Sequence, residues 1–260
     1  MTPAPYSWSF EPLFLALVAV ALVLYIRAAR AEGAPGFRIA LFALGLFLVA
    51  GALNSPLETL AAHYLLLVHL LQNVVIGDWA PLLLILGLTP AMRAAVAARG
   101  GKIFALATSP RIALPVWLVG WYGVHLAAFY DVALEREWLL NLEHVFLIAI
   151  GLLFWWPVLS DAPHAVGTGA RIGYLGAAFV LSSFLGLVLT FASEPVYDFY
   201  AAAPRLWGLS AAKDQNFAGV LMTAEQSIVF LGAIGALVWR LIPEEDGGDP
   251  VAQEGDPRDS

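Results

Sequence analysis

The 260-residue chain contains no cysteine, which excludes disulfides, thiolate metal sites, haem attachment through C-x-x-C-H and a cysteine nucleophile. Any metal must therefore be held by His, Met or carboxylate. Charge is scarce as well: 13% of residues are charged against 60% hydrophobic, with a mean hydropathy of +0.79, a balance that a soluble domain of this length does not show. The formal charge of −7 comes mostly from "PEEDGGDPVAQEGDPRDS" (243–260), with seven acids and one arginine. That segment reads as a disordered, solvated cytoplasmic tail, and the near-neutral remainder gives no reason to expect a nucleic-acid partner. No nucleophile constellation, phosphate loop or helical H-E-x-x-H is present, so no enzyme is expected. Neither a fixed-period repeat nor an inverted duplication of the transporter kind is visible.

What the chain does have is apolar length. Crossing a bilayer takes about 20 apolar residues in helical form. Seven windows meet this: Phe10–Arg27, Phe37–Leu53, Thr59–Gly77, Ile112–Tyr130, Trp138–Pro157, Arg171–Phe191 and Phe217–Leu241. The start "MTPAPYSWSF" lacks a basic region and a small-residue cleavage site, so the first span reads as a retained helix. The stretch "APLLLILGLTP" after the third span is open to three readings: a kinked continuation at Pro81, a re-entrant piece, or another crossing. Seven crossings with the N-terminus outside put ten of the thirteen Lys and Arg residues on the cytoplasmic side and leave Arg136, Arg205 and Lys213 outside. An eighth crossing at 80–90 would spoil that bias, giving six against seven. The expected fold is therefore an all-α integral membrane protein with seven transmembrane helices, N-terminus outside and C-terminus cytoplasmic, over residues 1–242. Trp155 and Trp156 before Pro157 read as an interfacial aromatic pair at the inner end of the fifth span.

On this topology the intramembrane polar groups gather at one depth. His63, His69, His125 and His144 fall in the outer half of three spans, and Met222 lies about five residues into the seventh. Asp214 and Gln215 stand at the mouth of that last span. Helical phase places His69, Gln72 and Asn73 on one face, with His63 turned about 120° away. Gln215, Gly219, Met222 and Gln226 form a stripe in which Gly219 would admit a neighbouring helix. Glu143 beside His144 can orient an imidazole. Asp78, toward the inner end, reads as able to reach headgroup water, and His164 as a solvated loop residue. A single membrane histidine can simply hydrogen-bond across a helix interface. Agreement in depth across several helices is what favours a site.

The motifs "NSPL" (54–57), "HLLQN" (69–73) followed by "APLLLILG" (80–87), "VHLAAFYDVAL" (124–134), "EHVFLIAIGLLFWWP" (143–157) and "DQNFAGVLM" (214–222) resemble, in order and rough spacing, the polytopic CtaG-like family of bacterial cytochrome c oxidase assembly proteins. The resemblance covers about residues 10–240. It implies a multi-pass protein of the bacterial cytoplasmic membrane, partnered by cytochrome c oxidase subunits and handling copper, as Cu(I), at the outer face. By position, His69 and Gln72 match the family's H-x-x-Q-H pattern, His125 the histidine before the Tyr-Asp pair, Glu143 and His144 the glutamate–histidine pair, and Asp214, Gln215 and Gly219 the last motif. Asn73 stands where the family has its second histidine, and asparagine is a poor Cu(I) ligand. The expected metal set is therefore His69, His125, His144 and Met222, with His63 able to complete it. Gln72, Asn73, Glu143, Asp214 and Gln215 surround them. Imidazole and thioether without thiolate suit Cu(I) outside the cytoplasm, where cysteine would oxidise. Two other classes stay open: a haem or quinone redox protein with histidine axial ligands, and a small transporter lined by His69, Gln72, Glu143 and Glu225.

Overall fold

The computed structural model describes residues 2–241. The acidic segment 243–260, and with it the expectation of a disordered tail, lies outside the described residues. Twelve helices and no strand occur among the described residues: α1 Pro12–Glu32, α2 Gly36–Leu53, α3 Pro56–His63, α4 Leu66–Val74, α5 Ala80–Gly87, α6 Pro90–Ala107, α7 Pro110–Val124, α8 Ala127–Leu134, α9 Glu137–Leu159, α10 Thr168–Phe191, α11 Asp198–Ala202 and α12 Ala211–Trp239. Between α4 and α5 a five-residue π-helical segment, Val75–Trp79, keeps the helix continuous.

Local chemistry sets the boundaries. Proline opens α1, α3, α6 and α7, where its missing N–H costs nothing. The side chains of Ser55, Thr89 and Ser210 accept hydrogen bonds from first-turn N–H groups of α3, α6 and α12. Gly33 closes α1 in the left-handed region at φ 63°. The π segment has its own cause in Pro81, which has no N–H for the carbonyl of Gly77 four residues back and whose ring crowds that carbonyl.

Among the described residues, six helices are long and apolar enough to cross a membrane: α1, α2, the continuous Leu66–Gly87, α9, α10 and α12. A seventh crossing exists only if α6 and α7, bent by 69° at their junction, count as one broken span. Two expected spans are corrected. Thr59–Gly77 is not one helix, because the chain breaks at Tyr64–Leu65 and then runs on through residues 80–87 as a continuation of the same span. Ile112–Tyr130 breaks at His125–Leu126, leaving α7 only 15 residues. Neither break contains proline or glycine, so hydropathy passes over both.

The helices pack around an aromatic core in which Trp117 stacks on Phe154 (ring centroids 4.4 Å apart) and Phe230 approaches Phe154 at 5.5 Å. Trp155 belongs to this core rather than to a lipid interface. It is fully buried and donates its indole N–H to Asp78 Oδ1 at 2.5 Å, while Trp79 donates to Glu225 Oε1 at 2.7 Å. Asp78 is accordingly a buried, bonded group, not one in reach of headgroup water. His164 is half-buried and bonded to the carbonyl of Ala105 at 2.6 Å, which ties its loop to α6.

Close approach of backbones fixes two crossings. A Cβ at Gly219 would lie 2.5 Å from the carbonyl oxygen of Gly186, so α12 and α10 meet as the stripe on α12 suggested. A Cβ at Gly151 would collide with the carbonyl of Gly77 and come within 2.8 Å of Pro81 Cγ, so α9 lies directly on the π segment. Gly151→Ala should therefore lower the thermal midpoint of the detergent-purified protein, at a cost of about 1–3 kcal/mol. Gly173→Ala, which meets nothing within 4 Å, should leave the midpoint unchanged or raised. Equal midpoints for the two variants would refute this packing.

Candidate functional site

One end of the bundle gathers segments 2–11, 54–65, 125–136 and 192–210. Glu11 N–H donates to Asn54 Oδ1 at 2.7 Å, Thr59 Oγ1 to the Ser7 carbonyl at 2.8 Å, and Phe199 N–H to Asp131 Oδ1 at 3.1 Å. The histidines sit beneath this cover.

Their placement begins with the break at Tyr64–Leu65. The first N–H groups of α4 have no partner in their own helix. Asp214, on α12 and fully buried, supplies it by accepting from Leu66 N–H at 2.9 Å and Leu67 N–H at 3.0 Å. His69 follows within one turn. Its Nδ1–H donates to the Tyr200 hydroxyl at 2.8 Å, and that hydroxyl donates in turn to the Ala61 carbonyl at 2.5 Å. This chain fixes the tautomer: Nδ1 carries the proton and Nε2 presents a lone pair.

Around that lone pair three elements converge. His144 on α9 faces His69 with ring centroids 6.2 Å apart, and Glu143 Oε1 is 3.9 Å from His69 Nε2 and 3.4 Å from Asn73 Nδ2. Tyr130 on α8 bridges His69 and His125, at 4.9 and 5.9 Å between centroids. His125, at the end of α7, donates Nδ1–H to the Trp121 carbonyl at 2.7 Å, which likewise leaves Nε2 bare. His69 Nε2, His125 Nε2, both nitrogens of His144, Glu143 Oε2, Asn73 Oδ1 and the Tyr130 hydroxyl are all buried without a hydrogen-bond partner. Among the described residues, no three His, Asp or Glu side chains stand close enough together to enclose a metal ion.

The remaining expected residues lie elsewhere. Gln72 turns away toward α2 and α3, donating Nε2–H to the Ala52 carbonyl at 2.8 Å and to Glu58. Burial pushes the Glu58 carboxyl, on short α3 outside the long spans, up to about 8, against the lowering effect of that bond from Gln72. Gln215 tethers a loop, accepting from Val196 N–H at 2.7 Å and donating to the Glu194 carbonyl at 3.1 Å. Met222 is fully buried in the main apolar core, about 12 Å beyond Asp214 along α12. His63, on α3 and half-exposed, lines a separate 560 Å³ surface cleft with Asp131, Glu135 and Asp198. Burial lowers its pKa. Tyr130 and Tyr200 were not anticipated as members. Tyr130 sits in a quoted motif, but nothing in the sequence marks Tyr200, which comes from a five-residue helix in a loop.

A family model described as the cytochrome c oxidase caa3 assembly factor (Caa3_CtaG) matches residues 19–244. The chain belongs to this family. That family is one of cytochrome c oxidase assembly factors, and the long apolar helices fit a bacterial membrane protein. Uncharacterised proteins of Mycobacterium bovis and Mycobacterium tuberculosis are each 22% identical to it over 191 residues, 66% of this chain. The match takes in 29% of each relative, so the chain spans under a third of the length of these curated proteins. No solved structure matches.

This geometry makes Asp214 a positioning residue. Asp214→Ala should unfold the first turn of α4 and lower stability by about 1–3 kcal/mol, the cost of leaving buried donors unpaired. Asp214→Asn, which keeps one acceptor, should lose less. Thermal unfolding in detergent, read by far-UV circular dichroism, checks the order. Equal loss in both variants would mean the carboxylate cap does not set the break.

Proposed function

We propose that the caa3 assembly factor passes copper, as Cu(I), through the imidazole cluster of His69, His125 and His144 at the outer face of the cytoplasmic membrane, for delivery to an oxidase subunit. The observation that carries this reading is the set of bare imidazole nitrogens gathered around Tyr130 and Glu143. Histidines that only pack helices together would have their nitrogens bonded, because each unpaired buried group costs about 1–3 kcal/mol. The 6.2 Å between the His69 and His144 ring centroids is roughly the spacing of two imidazoles whose nitrogens each stand about 2 Å from a shared ion. An open set of imidazoles suits a cargo that must leave again better than a closed cage does. Tyr200 orients His69 from behind, as groups that support ligating histidines do. Asn73, one helical turn from His69 and facing Glu143, supplies hydrogen bonding where a third imidazole would otherwise stand.

Orientation follows the positive charge. The histidine end faces outward and the C-terminus inward, so reporter fusions after Lys102 and Arg240 should read cytoplasm and fusions after Glu58 and Lys213 should read outside. A cytoplasmic reading at Lys213 would place the histidines on the wrong side for this function.

The site itself is tested by copper retention and oxidase maturation together. His69→Ala and His144→Ala should each lower Cu(I) retention and oxidase assembly at least tenfold while the protein still inserts, and Asn73→His should strengthen retention. If every histidine variant keeps full oxidase maturation, copper transfer through this cluster is wrong.

A further inference from the structure

At the end opposite the histidines, a 410 Å³ cavity is lined by Arg38 of α2, Arg93 of α6, Arg171 of α10 and Arg240 just beyond α12. Its walls are apolar side chains of the spanning helices, among them Leu82 and Leu86 of the α5 continuation and Val229 and Ala233 of α12. Among the described residues, none that lines it is acidic. Internal contacts hold the guanidinium groups in place. Arg38 Nη1 donates to the carbonyls of Leu86 and Leu88 at 2.8 and 2.7 Å, and Arg93 donates to the carbonyl of Leu159. Arg171 alone meets a carboxylate, that of the exposed Asp161 at the rim, and its Nε is buried without a partner.

Four cations sharing one small cavity repel each other, and neutral carbonyl acceptors do not cancel their charge. The arrangement is balanced when an anion enters. Guanidinium groups match phosphate oxygens in geometry as well as charge. The apolar walls then decide what carries the phosphate, since a free ion gains nothing from leucine and valine side chains, whereas a lipid places its glycerol and upper acyl carbons against them. We propose that this cavity binds the headgroup phosphate of an anionic phospholipid, seated between α5 and α12. The site is independent of the copper reading, since it shares no residue with the histidine cluster and lies at the other end of the bundle.

Native mass spectrometry of the full-length protein in mild detergent tests this, with phosphatidylglycerol and phosphatidylcholine of the same acyl chains supplied at equal concentration. Phosphatidylglycerol should be retained in preference, one molecule per protein. Arg240→Gln, which removes a charge whose side chain makes no hydrogen bond among the described residues, should lower that retention about fivefold, and Arg171→Gln with Arg240→Gln should abolish the preference. Arg171→Lys should keep most of it. Equal retention of the two lipids, or a preference unmoved by the arginine changes, overturns the proposal. It is overturned too if millimolar inorganic phosphate displaces the phosphatidylglycerol completely, which would make the site one for free anions. A preference that appears only after truncation behind Pro243 would assign the cavity to the chain's own acidic segment instead.

Discussion

A helix that starts inside a membrane domain must find acceptors for its first N–H groups, because hydrocarbon offers none. Here one carboxylate, Asp214, meets that need for α4 from a position 148 residues away in the chain. The consequence reaches well beyond two hydrogen bonds. The cap makes the break at Tyr64–Leu65 tolerable, and the break lets short α3 fold over the bundle end while α4 descends into it. His69, one turn below the cap, is thereby placed against α9 and within reach of the Tyr200 hydroxyl. The same contact locks α12 to α4 in parallel register, since both helices begin at this end. Without it the protein would keep its long spans and lose the convergence of its histidines.

The polar interior divides into two kinds of group. Asp214, Gln215 and Asp78 have their hydrogen bonds made, to backbone ends, loops or an indole, and their work is structural. His69, His125, His144, Glu143 and Tyr130 each keep at least one buried atom without a partner. The division follows neither residue type nor depth, and it shows up only in the hydrogen-bond accounting. It also accounts for the heavy aromatic packing around the cluster, from Phe14 against His144 to Trp121 against His125. Rings held by close packing stay in place where hydrogen bonds do not hold them.

Much of this was legible in the residues. Five of the seven apolar windows correspond to long helices with ends shifted by a few residues, and the stripe through Gly219 marks a true helix crossing. The motifs led to the correct family; His69, His144, Asn73 and Glu143 stand together, and His125 is connected to them through Tyr130. Hydropathy could not reveal the two breaks, because a break with neither proline nor glycine is set by tertiary caps that lie far away in sequence. Those breaks also explain the errors of phase. His63 and His69 belong to different helices, so an angle between them on one helix has no meaning, and Gln72 faces α2 and α3 because its donor finds the Ala52 carbonyl and Glu58 there. The tryptophan pair misled for a simpler reason: an indole at a span end serves equally well as an interfacial anchor or as a donor to a buried carboxylate.

The π segment before Pro81 separates the two halves of its span. It holds one more residue per turn than an α-helix, so it sets the angular offset between the part that carries His69 and the part that packs on α2 and α9. Winding residues 75–79 at α-helical pitch without changing their number would rotate Ala80–Gly87 by roughly 80°. Ala80 and Ile85, now buried, would swing toward lipid while His69 and Asn73 stayed where the cap holds them. The wider turn at this spot thus acts as a fixed rotational offset of one half-helix against the other, which aims the arginine end independently of the histidine end.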